Sequence, residues 1–284
     1  MKCYIFLILG FFFLNAYSTE NLTNLQPGLS LYSEYYPNLK TKFNGTLIFV
    51  NGSGSDLSEW KNNKTFFNCV KNLGSIFLYD RPGLGKSPSY LRFSSKNPLT
   101  AKLGYEHLSQ LLSEKKIQPP YILVAHSYGA LYAGYFALMK PELVKGLLLV
   151  DPAPRDFYFS ESALNKFKKG MDDARRKQAK IIYKQYGGSE AEIFYQLLGF
   201  EASKDSLKRL GSIDNKIPII IISSSTMEKL HPLIEEWYLS QKQWLNKNKM
   251  SKIIRVSSDH FIQLERPAKV CNELSEIVKQ VKLL

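Results

Sequence analysis

Short apolar runs alternate with amphipathic segments along most of the chain. Strands are predicted where apolar residues follow one another, at 46–50, 75–79, 121–124, 144–150, 217–222 and 252–256, and those at 46–50, 121–124 and 217–222 are expected to be buried. Between them, apolar residues recur at helical spacing, at 60–73, 98–112, 131–139, 233–245 and from about 267 to the end. This alternation predicts an α/β fold with a mainly parallel sheet, right-handed crossovers and helices on both faces.

Two regions depart from that alternation. Residues 19–45 hold short alternating runs interrupted by glycine and proline, a pattern typical of a hairpin. Residues 155–216 lose the strand signal and are helical in pattern, with many lysines and aromatic residues. We therefore predict a core of residues 19–154 and 217–284, with a helical cap of residues 155–216 inserted after the strand that ends at Asp151.

The most informative stretch joins the strand at 121–124 to the helix at 131–139. Between them lie Ala125, His126, Ser127, Tyr128 and Gly129. A strand that turns directly into a helix around a serine is typical of a nucleophile elbow, and Ala125 and Gly129 are small, as so tight a turn requires. The turn would hold the Ser127 hydroxyl clear of the sheet, at the positive end of the helix. A chance match at a strand–helix junction is the alternative.

The first 18 residues are predicted to be a signal peptide. Lys2 gives a basic start, residues 4–14 are almost wholly apolar, and residues 16–18 fit a small-x-small cleavage site. The apolar stretch is short for a bilayer span. An uncleaved membrane anchor is the alternative. The remaining chain is expected to be exported, to the periplasm or outside the cell.

Charge and motifs exclude several classes of function. The formal net charge of +13 suggests weak association with anionic membrane surfaces or anionic substrates, or solubility alone. The chain has no nucleic-acid-binding signature. It has no cysteine and histidine cluster with zinc spacing, which predicts no metal site. The glycines at 83 and 85 lack the third glycine of a dinucleotide site.

Five motifs in order along the chain resemble those of serine hydrolases in the α/β-hydrolase superfamily. They are Gly52-Ser53-Gly54, Asp80-Arg81-Pro82-Gly83-Leu84-Gly85, His126-Ser127-Tyr128-Gly129, Val150-Asp151 and the run from His260 to Pro267. Each lies at or beyond the end of a predicted strand or opens a final helix. The resemblance covers essentially all of the chain after residue 18, and it implies the α/β-hydrolase fold.

The resemblance also implies the roles of the site residues. Ser127 is the expected nucleophile and His260 its general base. The backbone N–H groups of Ser53 and Tyr128 are expected to bind the oxyanion. The histidine needs a carboxylate, and we favour Asp151 at the end of its strand. Glu228, after the strand at 217–222, is the alternative acid, because many family members place the acid there.

The other polar residues of these motifs receive structural interpretations. His126 is expected to pack or form hydrogen bonds beneath the site, and His107 to be a structural residue on its helix. His231 precedes a proline and is expected to begin a helix. Asp80 and Arg81 are expected to organise their loop.

The cysteines offer one further prediction. Loss of the signal peptide removes Cys3 and leaves Cys69 and Cys271. In the fold that the resemblance implies, the helices carrying these residues pack on the same face of the sheet. Export to an oxidising compartment favours pairing. We expect a Cys69–Cys271 disulfide, with two buried free cysteines as the alternative.

Taken together, the sequence predicts an exported serine hydrolase that cleaves a carboxylester or lipid-like ester through an acyl-enzyme intermediate, without a cofactor. One alternative is hydrolysis of an amide, thioester or peptide by the same triad. The other is a ligand-binding homologue with little turnover. Substrate identity depends on the cap, and caps vary widely within one fold.

Overall fold

A computed structural model describes residues 19–38, 40–41, 43–90, 92–94, 96–155, 188–226 and 233–281. The predicted signal peptide lies outside the described residues. So do residues 156–187 of the predicted cap, the alternative acid Glu228, and His231.

The strands form a single sheet over the described residues. They are β1 (Thr19–Gln26), β2 (Leu29–Tyr36), β3 (Thr46–Val50), β4 (Ser75–Tyr79), β5 (Tyr121–His126), β6 (Val144–Val150), β7 (Ile219–Ser224) and β8 (Lys252–Val256). Their order in the sheet is β1–β2–β4–β3–β5–β6–β7–β8. β1 pairs antiparallel with β2, and β2 with β4, whereas every pairing from β4 to β8 is parallel. The predicted hairpin and the mainly parallel sheet are both confirmed.

Helices cover both faces of the sheet. They are α1 (Ser58–Lys61), α2 (Lys64–Lys71), α3 (Ala101–Glu114), α4 (Gly129–Met139), α5 (Ser189–Leu210), α6 (Ile234–Gln241), α7 (Ile262–Glu265) and α8 (Pro267–Val281), with 3-10 turns at Pro141–Leu143 and Lys242–Trp244. Among these described helices, none combines the length and the apolar character needed to cross a bilayer.

The prediction of one helix over 60–73 was wrong. The segment forms α1 and α2, because Asn63 takes an extended conformation and its side chain accepts a hydrogen bond from the N–H of Phe66 at 3.0 Å. This is the behaviour of a helix N-cap, which starts a new helix rather than continuing an old one. The helix predicted over 233–245 is also shorter, since α6 ends at Gln241 and continues only as a 3-10 turn.

The core divides between the two faces because successive strand side chains point to opposite sides. Ile48 and Val50 of β3 pack with α3 and α4 on one face. Leu47 and Phe49 pack with α2 and α8 on the other. Strands buried on both faces read as continuous apolar runs, and this is why they were visible in the sequence.

Helix α5 lies in the predicted cap region and is fastened to α3 by buried contacts. Ser203 Oγ accepts a hydrogen bond from the N–H of Ala101 at 2.8 Å. The N–H of Leu99 donates to the carbonyl of Tyr195 at 3.2 Å. A Cβ on Gly199 would lie 2.5 Å from the carbonyl oxygen of Leu99, so only glycine allows the helix to approach this closely. The helix agrees with the helical pattern of this region, whereas the division into core and cap stays a prediction.

The two cysteines face each other between α2 and α8. Their Cα atoms are 6.4 Å apart, and the structure joins Cys69 and Cys271 as a disulfide. That separation lies within the range that a disulfide can bridge. The helices pack on the same face of the sheet, as the sequence analysis expects.

Candidate active site

Ser127 lies in the turn that joins β5 directly to α4. Its φ is 51°, a left-handed conformation that is uncommon for a residue with a side chain. The Ser127 N–H holds the turn by donating to the carbonyl of Val150 at 3.0 Å. A Cβ on Gly129 would lie 2.6 Å from the carbonyl oxygens of Val50 and Asn51. The close approach of α4 to the end of β3 therefore requires glycine at this position.

Three side chains at the ends of three strands form a continuous hydrogen-bonded chain. His260 Nε2 lies 2.9 Å from Ser127 Oγ, and His260 Nδ1 lies 2.7 Å from Asp151 Oδ2. A carboxylate oxygen accepts but cannot donate, so Nδ1 carries a proton and Nε2 is free to accept the serine hydroxyl proton. The structure thus brings together the residues that the sequence analysis assigned as nucleophile, base and acid.

Asp151 is completely buried, and its carboxylate is held from several directions. Oδ1 accepts hydrogen bonds from the Gln241 side chain at 2.8 Å, the Trp237 indole N–H at 3.2 Å and the Ser224 N–H at 3.2 Å. These donors leave Oδ2 facing His260. Hydrogen bonds of this kind offset the cost of burying a carboxylate and fix its orientation.

The two backbone N–H groups predicted to bind the oxyanion belong to residues next in sequence to Ser127 and to Gly52, which packs against Ser127. Tyr128 follows Ser127 and precedes α4, so its N–H lies at the start of that helix. Ser53 belongs to residues 51–54 after β3, which we call the oxyanion loop after its predicted role. A Cβ on Gly52 of this loop would lie 3.3 Å from Ser127 Cβ. Within the described residues, neither the Ser53 N–H nor the Tyr128 N–H donates to a protein acceptor.

Asp80 organises the loops at this end of the sheet, as the sequence predicts. Its carboxylate accepts hydrogen bonds from the N–H of Leu57 at 2.7 Å and of Lys86 at 2.9 Å. A Cβ on Gly85 would lie 2.3 Å from the same carboxylate, and the φ of Gly85 is +50°. Glycine is therefore required where the loop wraps around Asp80.

Arg81 packs against the oxyanion loop and is only 2 % exposed. Its Nη1 donates to the carbonyl of Asn51 at 2.7 Å, and its Nη2 donates to the carbonyl of Gly52 at 2.6 Å. The guanidinium also forms a bidentate contact with Glu192 of α5. Its Nε donates to Oε1, and its Nη2 donates to Oε2 at 2.9 Å. Burial alone would lower the pKa of Arg81, but the charge and hydrogen bonds of Glu192 raise the pKa above its ordinary value.

Two buried carboxylates hold N–H groups of the same loop. Glu59 Oε2 accepts from the N–H of Gly52 at 3.0 Å. Glu192 Oε2 accepts from the N–H of Gly54 at 2.7 Å. A hydrogen bond from a backbone N–H to a charged carboxylate is stronger than one between neutral groups. The loop is therefore held by side chains from α1, from the β4 exit and from α5.

His126 and Glu59 form a second buried imidazole–carboxylate pair. His126 Nδ1 lies 2.7 Å from Glu59 Oε1, an ion-pair contact that is not aligned as a hydrogen bond. Its Nε2 donates to the backbone carbonyl of His260 at 3.0 Å. Burial alone would lower the pKa of His126, but the charge of Glu59 raises it overall. Burial alone would raise the pKa of Glu59, but His126 lowers it overall.

A comparison with known families identifies the fold. The profile of the Alpha/beta hydrolase family matches residues 47–273. This chain belongs to the alpha/beta hydrolase family. The matched range runs from β3 into α8 and includes Ser127, Asp151 and His260. No group of three or more histidine, cysteine, aspartate or glutamate side chains suited to a metal ion occurs in the described part of the chain.

Individual proteins resemble the chain in sequence or in fold. The uncharacterized protein YqjL of Bacillus subtilis is 27 % identical over 226 residues, which cover 78 % of this chain and 79 % of that protein. A thermophilic esterase from Thermogutta terrifontis has a TM-score of 0.64 at 18 % identity, over 94 % of this chain and 100 % of that one. The haloalkane dehalogenase DatA from Agrobacterium tumefaciens has a TM-score of 0.62 at 14 % identity, over 93 % and 97 %. At such identities the structural likeness shows the fold alone.

Sequence reasoning missed four residues that shape the site. They are Glu59, Glu192, Trp237 and Gln241. The spacing of Trp237 and Gln241 by one helical turn was a usable signal, because both have side-chain donors on one face of α6. The two glutamates gave no such signal, since a glutamate on a helix is usually exposed to solvent.

Proposed function

We propose that this protein is a serine hydrolase that cleaves an ester through an acyl-enzyme intermediate. The observation that carries the proposal is the unbroken chain of contacts from Asp151 Oδ2 to His260 at 2.7 Å and from His260 to Ser127 Oγ at 2.9 Å. A serine hydroxyl is a weak nucleophile, and it needs a base within hydrogen-bonding distance that a third group orients.

In the proposed reaction, Ser127 Oγ attacks the ester carbonyl carbon while His260 Nε2 takes the hydroxyl proton. The carbonyl π electrons move to oxygen and form a tetrahedral oxyanion. When the C–O bond to the alcohol breaks, His260 returns the proton to the leaving oxygen. Water then attacks the acyl-enzyme with the same proton relay, and the carboxylic acid and free Ser127 are released. Asp151 keeps the imidazole in the required tautomer and stabilises its charged form.

The backbone N–H groups of Ser53 and Tyr128 are proposed to bind the oxyanion. Tyr128 follows Ser127 directly and Ser53 follows Gly52, which packs against Ser127, and this placement supports the role. The absence of another acceptor for the two N–H groups among the described residues supports it as well. Donors fixed in advance at the place where charge develops stabilise the transition state without reorganisation. Loss of one such donor typically lowers the rate by about 10²- to 10³-fold.

An apolar or lipid-like ester is the proposed substrate class. Phe261 is 40 % exposed and its ring centroid lies 5.6 Å from that of His260, so an apolar side chain borders the reactive groups. Aromatic residues of α5 serve a different purpose. Tyr195 packs on Phe93 at 5.5 Å between ring centroids, and Phe200 is buried near Tyr128 at 6.3 Å. These side chains attach α5 to the core.

We also propose that the protein acts in an oxidising compartment after export. The pairing of Cys69 with Cys271 supports this location, because disulfides persist mainly outside the reducing cytosol. The formal net charge of +13 supports weak attraction to anionic membrane surfaces, where lipid-like esters are found.

The proposed function can be tested with a fluorophosphonate probe, which reacts with activated serines. We expect labelling of the wild-type protein and none of Ser127→Ala, while Ser113→Ala, which changes an exposed serine of α3, labels normally. A panel of 4-nitrophenyl esters of graded chain length, with matched amides and thioesters, then identifies the preferred bond. Absence of labelling together with absence of turnover would favour a ligand-binding homologue.

A further inference from the structure

The peptide between Gly52 and Ser53 has a fixed orientation. Its carbonyl oxygen accepts a short hydrogen bond from Arg81 Nη2 at 2.6 Å and a longer one from the Ser55 N–H at 3.3 Å. The peptide is trans, as only the bond between Pro119 and Pro120 is cis among the described residues. In a trans peptide the C=O and N–H groups point in opposite directions. The Ser53 N–H therefore points away from Arg81.

The neighbouring peptides are held as well, but in a different way. In the peptide between Asn51 and Gly52, the carbonyl accepts from Arg81 Nη1 and the N–H donates to Glu59. The N–H of Gly54 donates to Glu192. Among these three consecutive peptides, only the N–H of Ser53 has no acceptor within the described part of the protein.

We propose that Arg81 and Glu192 are positioning residues that orient the Gly52–Ser53 peptide so that the Ser53 N–H faces the hydroxyl of Ser127. The inference rests on the proposed function, because it assigns a task to the oxyanion loop of a serine hydrolase. Arg81 acts on the carbonyl side of the peptide, and the oxyanion is bound on its N–H side. Hydrogen bonds in such chains polarise one another, which strengthens the N–H as a donor.

Glu192 fixes the guanidinium that performs this task. Its two oxygens contact Nε and Nη2, and a planar guanidinium held at two points has a single orientation. The ring of Tyr132 lies 5.5 Å from Arg81 Cζ and supports the same plane. Ser189, three residues earlier on α5, donates through Oγ to the carbonyl of Gly54 at 2.6 Å. Helix α5 therefore holds both Arg81 and the far end of the oxyanion loop.

Conservative substitutions separate orientation from charge. Arg81→Lys keeps the positive charge, but one ammonium group cannot bridge two carbonyls and a carboxylate in the same plane. Glu192→Gln keeps the size of the side chain and removes the charge. Glu273→Gln is a matched control, because Glu273 is a buried carboxylate on α8 that pairs with Lys252 and Lys269, away from the site.

We expect Arg81→Lys and Glu192→Gln to lower kcat for 4-nitrophenyl butyrate by about 10- to 100-fold with little change in KM, somewhat less than deletion of an oxyanion donor. The affinity for a trifluoromethyl ketone, which forms a tetrahedral adduct with serine, should fall by the same factor. Glu273→Gln should leave both quantities within about twofold, as expected for a residue remote from the transition state.

A crystal structure of Arg81→Lys tests the orientation without reference to activity. Rotation of the Gly52 carbonyl away from its wild-type direction supports the proposal, and an unmoved peptide with normal kcat overturns it. An unmoved peptide with reduced kcat also overturns it, because Arg81 would then act in another way. Failure of the wild-type protein to react with fluorophosphonate or any ester overturns the proposed function, and the peptide orientation still decides whether Arg81 is a positioning residue.

Discussion

Two carboxylate–imidazole pairs lie side by side next to Ser127, and only one of them contacts it. In each pair a ring Nδ1 lies 2.7 Å from a carboxylate oxygen, in His260 with Asp151 and in His126 with Glu59. The two ring centroids are 4.6 Å apart. The His260 side chain is 26 % exposed, whereas that of His126 is 1 % exposed.

The partner of the second ring nitrogen explains the difference. His260 Nε2 meets a hydroxyl, which can both donate and accept, so the ring can take up a proton and return it. His126 Nε2 meets a backbone carbonyl, which can only accept, so the ring must keep its proton. A carboxylate–imidazole pair is therefore not sufficient for a general base. Whether such a histidine can act as a general base depends on the group that contacts its Nε2 and on its exposure to the substrate.

The largest expected effect is a loss of activity, and it distinguishes Asp151 from Glu59. Asp151→Asn should lower kcat/KM by about 10⁴-fold, because an amide at this position favours the wrong imidazole tautomer. Glu59→Gln should lower it by less than about 10²-fold, since Glu59 contacts the N–H of Gly52 and the ring of His126 rather than Ser127 or the His260 ring. Steady-state assays on the best ester of the panel measure both.

The circular dichroism spectrum of each variant provides the control for folding. Equal losses of kcat/KM in the two variants would contradict the assignment of Asp151 as the partner of the catalytic histidine. A larger loss in Glu59→Gln would assign that role to Glu59.

A second prediction concerns stability, where Glu59→Gln should have a larger effect than Asp151→Asn. Glu59→Gln removes the carboxylate that pairs with the buried His126, and loss of one partner from a buried pair costs about 3 to 5 kcal/mol. Asp151→Asn should cost less, because His260 is partly exposed and water can solvate it. Urea unfolding of both variants gives the two free energies of unfolding.

The double variant Glu59→Gln, His126→Gln sharpens this test. Removal of both partners leaves no buried imidazole without its carboxylate, so the double variant should be more stable than Glu59→Gln alone. If the effects of Glu59→Gln and His126→Gln on the free energy of unfolding were additive, the contact between the two side chains would contribute nothing to stability.

A third histidine shows what burial does without a carboxylate. His107 of α3 packs against the rings of Tyr90 and Phe93, and its Nε2 has no hydrogen-bond partner among the described residues. Burial lowers the pKa of His107 to about 4. The unfolded chain, with an ordinary histidine pKa near 6.5, therefore binds the proton more readily than the folded one between about pH 4 and 6.5.

Stability should accordingly fall as the pH drops through that window, by about 3 kcal/mol in total from His107. His107→Leu removes this contribution, so its free energy of unfolding should depend less steeply on pH than that of the wild type. The raised pKa of His126 has the opposite sign, since its stabilisation is present below the ordinary pKa and is lost as the pH rises through the raised one. If the free energies of unfolding of His107→Leu and of the wild type changed equally with pH, His107 would not be a buried neutral histidine.

The sequence predicted the elements whose signals are local. The apolar runs of β3 to β7 appear because these strands are buried on both faces, and Ser127 stood out because the turn around it needs small neighbours. The order of motifs then placed Asp151 and His260 at the same edge of the sheet, since carboxyl ends of parallel strands meet there.

The sequence could not show interactions that depend on three-dimensional packing. Glu192 reaches Arg81 across 111 residues, and nothing in its surroundings on α5 distinguishes it from the exposed Glu190. Gln241 and Trp237 face Asp151 only because α6 lies beside the end of β6. The break between α1 and α2 was missed for a different reason, because Asn63 had a local capping signal that a longer apolar period concealed.

The contact between Glu192 and Arg81 means that the segment between β6 and β7 is not an exchangeable module. A shortened or grafted segment without a carboxylate at this point would leave an isolated cation packed against backbone carbonyls, and the core would have to accommodate it. Chimeras with other family members should therefore keep α5 with its own β4 exit loop, and place their junction before Gly188, whose N–H donates to the carbonyl of Gly83 at 2.8 Å. The boundary for recombination in this protein thus lies inside the predicted cap.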